Sequence, residues 1–106
     1  MENHLIEVRS PHDGSVIDSI VCDNWTTIDA KVAAAKMAMR DWSRKSSNDH
    51  AEALIKIAEA TRAEISVLVP FLTREHGKTY REAEMELERY IGQFIQYAAM
   101  TTSIDG

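Results

Sequence analysis

Apolar and polar residues alternate at a period near two in the first segment of the chain and at a helical period nearly everywhere after it. Leu5-Ile6-Glu7-Val8 and Ser15-Val16-Ile17-Asp18-Ser19-Ile20-Val21 are short, β-branched and loosely alternating. Between them, Ser10-Pro11-His12-Asp13-Gly14 supplies a proline and an Asp-Gly pair suited to a turn. The pattern predicts a β-hairpin with a connector, together residues 1–24. A lone hairpin is marginal in water, so its apolar face needs a further element against it.

Residues 25–106 read as helical. Cys22-Asp23-Asn24-Trp25 is the connector, and Thr26 is expected as N-cap with Asp29 in the first turn. Ile28, Val32, Ala35, Met39 and Trp42 then fall on one stripe. Ser46-Ser47-Asn48-Asp49 is a second start signal, followed by Leu54, Ile57, Ala58, Thr61, Ile65 and Leu68 at helical spacing. Pro70 forfeits a backbone hydrogen bond and crowds the preceding turn, at a cost of about 3 kcal/mol. A kink or break is therefore expected between Glu64 and Phe71, with helix resuming to His76. Tyr80, Ala83, Leu87, Tyr90, Ile91, Phe94, Ile95 and Ala98 make the broadest apolar face. The expected fold class is mainly α with an N-terminal β-hairpin, one partial domain over residues 1–106.

The helix junction at residues 76–79 organises this region. Gly77 is able to take the left-handed conformation that closes a helix, and Lys78 sets a positive charge near the last carbonyls. Thr79 and Glu82 have the spacing of a capping box for the next helix. Gly77-Lys78-Thr79 also resembles the end of a phosphate-binding loop, but the earlier glycine that motif requires is Leu72, and the segment before it reads as helix rather than strand.

Composition narrows the function classes. The chain has 106 residues, 44% hydrophobic and 27% charged, ordinary for a globular sequence. Its net charge of -5 and scattered basic residues argue against nucleic acid or an anionic membrane as partner. No apolar run is long enough for a membrane span, and Met1-Glu2-Asn3-His4 lacks the features of a signal peptide. A single cysteine, Cys22, fits a reducing compartment, so a cytoplasmic location is expected.

Candidate chemistry is sparse. Cys22 sits beside Asp23, whose charge disfavours a thiolate, so it reads as incidental rather than nucleophilic. His4, His12, His50 and His76 have no partners at zinc-ligand spacing. Glu82, Glu84, Glu86 and Glu88, interspersed with Arg81 and Arg89, read as a solvated helix surface. These residues by themselves do not define an active site.

Their order along the chain does carry a resemblance. Ser10-Pro11-His12-Asp13-Gly14, the alanine-rich Val32-Ala33-Ala34-Ala35 running to Trp42, His50, Leu54 and Ile57-Ala58, Glu75-His76-Gly77-Lys78 with Glu82-Ala83 and Glu86, and then Phe94, Tyr97 and Ala98 together resemble the N-terminal region of the aldehyde dehydrogenase superfamily. Ser10 and His50 stand where the family usually has Asn and Arg, and Pro70 falls in a segment normally helical. The resemblance implies the helical front part of a cofactor-binding domain without its Rossmann-like sheet. Intact members use a cysteine thiolate, a glutamate base, an oxyanion-supporting asparagine and NAD or NADP. All of these lie beyond the matched region, so no catalytic or cofactor-binding residue is expected here. Some members also bind a monovalent cation, and the resemblance carries that role to Glu75 with the backbone of Val8 and Arg9. Read from the residues alone, Glu75 caps or salt-bridges locally.

The resemblance thus points to a fragment of an NAD(P)-dependent aldehyde dehydrogenase, inactive alone, whose partner is the remainder of the enzyme or a second copy of itself. The alternative is a non-enzymatic helical interaction module.

Overall fold

The computed structural model describes residues 4–103, which divide into two compact units, 4–45 and 46–103.

In the first unit, β1 (Leu5–Arg9) and β2 (Val16–Val21) form the expected antiparallel hairpin. Leu5 pairs with Val21 and Val8 with Asp18, but Arg9 pairs with Val16, so Ile17 is the extra residue of a bulge. The turn is closed by the Ser10 amide donating to the Ser15 carbonyl and the Gly14 amide to the Ser10 carbonyl, both at 2.8 Å. Gly14 has φ 75, the left-handed region this turn needs. The Asp13 carboxylate accepts from the Ser15 hydroxyl (2.6 Å) and amide (2.9 Å), and these bonds hold its pKa below the usual 3.8.

Helix α1 spans Trp25–Arg44. Its N-cap is Asn24, not Thr26: the Asn24 side chain accepts from the Thr27 amide at 3.0 Å, and the Thr27 hydroxyl accepts from the Asn24 amide at 2.9 Å. The cap moves two residues earlier because threonine, lacking the reach of glutamate, still closes the reciprocal pair at this spacing. The predicted stripe of α1 exists, yet none of its residues is buried; Val32 is 48% exposed and Met39 61%.

The second unit holds α2 (Ser47–Ala63), α3 (Ile65–His76) and α4 (Tyr80–Thr101). Ser46 caps α2 with Asp49 in a capping box, as the start signal predicts. The expected break occurs at Glu64, which both ends α2 and begins α3. Pro70 itself sits inside α3, where it has no amide to give the Ser66 carbonyl. The chain thus stops and restarts a turn before the proline rather than at it.

Helix α4 packs against α2 and α3. The Thr101 hydroxyl at the end of α4 donates to the Ser47 carbonyl at the start of α2 (3.4 Å), so these two helices run antiparallel. The buried residues among those described are Ala58 of α2 and Ala83, Ile91 and Ala98 of α4. Ala83, Leu87, Ile91, Phe94 and Ala98 form the inward stripe of α4, with Leu87 and Phe94 half-buried. The broad apolar face read from the sequence therefore divides: Ile91 belongs to the core, while Tyr80, Tyr90 and Ile95 stay about half exposed or more. Tyr90 and Phe94 meet edge to face at 4.8 Å.

Candidate functional site

The junction between α3 and α4 is where the sequence concentrates its signals. Gly77 closes α3 with φ 72 and ψ 18, and its amide donates to the Thr73 carbonyl at 2.9 Å. Thr79 then caps α4: its hydroxyl accepts from the Glu82 amide (3.1 Å), and the Glu82 carboxylate accepts from the Thr79 amide (3.0 Å). Gly77-Lys78-Thr79 thus joins two helices, whereas a phosphate-binding loop follows a strand.

Lys78 does not spend its charge on the end of α3. Its Nζ donates to Glu86 Oε2, two turns into α4. That bond is the main reason the Glu86 carboxyl lies below its ordinary value of 4.5. The pair lines an open groove of about 630 Å³ with Glu82, Met85 and Arg89. Of its two carboxylates, one holds Lys78 and the other caps α4. Farther along the same helix, Glu88 pairs with Arg62 of α2 at 3.1 Å. The glutamates of α4 are therefore partly structural: Glu82 caps, Glu86 clamps the junction and Glu88 crosses to α2.

Glu75 lies one residue from the end of α3, exposed, and its side chain makes no hydrogen bond or ion pair among the described residues. It does not make the local salt bridge that the residues alone suggest. Cys22 follows β2, half-buried and outside any disulfide; its amide extends the hairpin ladder to the His4 carbonyl at 2.7 Å. Beside it, Asp23 accepts from Lys31 Nζ at 2.6 Å, which holds the Asp23 carboxyl below its ordinary 3.8. Among the described residues no group of three or more His, Cys, Asp or Glu side chains is gathered to hold a metal ion.

On α1, Ala35, Ala38, Met39, Asp41, Trp42 and Lys45 line a second open groove, of about 600 Å³. Small residues set beside Met39 and Trp42 make it a seat for apolar side chains rather than for a charged ligand. The pairs Lys78–Glu86 and Arg62–Glu88 are not legible in the sequence, since the first depends on the path of the chain through the turn and the second on where α4 returns along α2. The Asn24 cap has a signal, the Asn-x-x-Thr spacing.

The aldehyde dehydrogenase family model matches residues 1–106. The chain is 29% identical over 101 residues to D-glyceraldehyde dehydrogenase (NADP+) of Picrophilus torridus, covering 95% of this chain and 20% of that protein. It is 32% identical over 92 residues to malonate-semialdehyde dehydrogenase 1 of Geobacillus thermodenitrificans, covering 87% of this chain and 19% of the relative. Among solved structures, PnpE in complex with nicotinamide adenine dinucleotide superposes with a TM-score of 0.92 at 29% identity, over 97% of this chain and 21% of that one. A benzaldehyde dehydrogenase from Corynebacterium glutamicum shares the fold at a TM-score of 0.91 and 22% identity, over 97% and 22%. The chain spans about a fifth of the length of the curated relatives it matches.

Proposed function

The chain belongs to the aldehyde dehydrogenase family, and from that premise we propose that it serves as the helical front part of the cofactor-binding domain in an NAD(P)-dependent enzyme that oxidises an aldehyde to a carboxylic acid. The observation that carries this reading is burial. No residue of α1 is buried, although Trp25, Val32, Met37, Met39 and Trp42 lie along it, and the core of the second unit is three alanines and Ile91. Each large aliphatic or aromatic side chain gains about 1.5–3 kcal/mol on full burial. So many large apolar side chains on one helix call for a packing partner, and the relatives are about five times longer.

The residues here supply scaffold: caps, the Gly77 junction and the clamps that fix α4 against α2 and α3. Hydride acceptance belongs to the nicotinamide, and the Gly77-Lys78-Thr79 loop does not fit its phosphates, because it joins two helices and its lysine is engaged by Glu86. Thiolate attack and base catalysis need a nucleophile, a base and oxyanion donors held together, and these are assigned to sequence outside this chain. Glu75, exposed and unengaged among the described residues, is kept as a side-chain ligand for a monovalent cation in the intact enzyme.

Alone, the chain is expected to cover part of its apolar surface by self-association. Among the described residues no helix is long and apolar enough to cross a membrane, and the single cysteine supports a cytoplasmic site of action. Reading the gene past the codon for Gly106 tests the assignment. It is expected to continue into a glycine-rich strand–turn–helix and a later cysteine motif; a stop codon there, with a stable complex to an unrelated protein, would favour the interaction module.

A further inference from the structure

We draw no further inference here: the strongest candidate, the apolar cavity of about 190 Å³ between α2 and α4 lined by Ile55, Ala58, Ile91 and Ile95, is an uncovered helix face, and nothing in the structure shows what covers it.

Discussion

Replacing Gly77 with alanine puts a Cβ on a residue at φ 72, where an L residue pays about 1–2 kcal/mol. Lys78→Ala removes only a partly exposed ion pair, which solvent screens. Thermal melts are expected to show Gly77→Ala as the more damaging change, and the reverse order would contradict the account of the junction. The carboxylates respond to pH in a set direction. The pKa values of Asp13, Asp23 and Glu86 are all lowered in the fold, so their stabilisation is fully present above the ordinary values of 3.8 and 4.5. It is lost as pH falls through the lowered folded values. The melting temperature should hold steady down to about pH 4.5 and fall below it, and Lys78→Met should shrink that fall by removing the Glu86 share. An acid limb unchanged in Lys78→Met would contradict the clamp. Gly77 is legible in the sequence because a helix stop is a local matter of backbone conformation. The partner of Lys78 is not, since it depends on the path of the chain through the turn.

The capping boxes set where the helices begin. Asn24→Ala removes the side-chain acceptor for the Thr27 amide and is expected to cost about 1 kcal/mol; Thr26→Ala should cost far less. Equal losses from the two, read from helix melting by circular dichroism, would return the cap to Thr26. Pro70→Ala restores an amide facing the Ser66 carbonyl inside α3 and is expected to stabilise the second unit by up to about 3 kcal/mol; a lower melting temperature would mean that the proline ring's packing outweighs the lost bond. The elements themselves follow from periodicity, from the hairpin turn to the break before Pro70. Their finer placement does not. The bulge at Ile17 comes from how the turn is closed, and the break settles at Glu64 while Pro70 is carried in the middle of α3, where it forfeits one bond.

The whole molecule exposes apolar residues in both units, and this links fold to function. Of the wide face predicted on α4, the packing with α2 and α3 takes in Ile91, and a sequence pattern alone does not decide which half of a broad stripe is covered. Ile91→Ala is expected to cost about 2–5 kcal/mol, enough to unfold so small a core. Ile95→Glu, at a position 49% exposed, should leave the fold intact and weaken self-association. Sedimentation at micromolar concentration is expected to give a species heavier than the 12.0 kDa monomer, lightened by Ile95→Glu; a single monomeric boundary would contradict the self-association. The central claim is that this chain is scaffold whose chemistry lies elsewhere in a longer dehydrogenase. The most direct test is formation of reduced nicotinamide from NAD or NADP with a panel of aldehydes, by the 106-residue chain and by a longer polypeptide in which it is joined to the rest of a dehydrogenase. The account predicts no turnover by the chain and aldehyde-dependent turnover by the longer polypeptide. Turnover by the chain alone would contradict it.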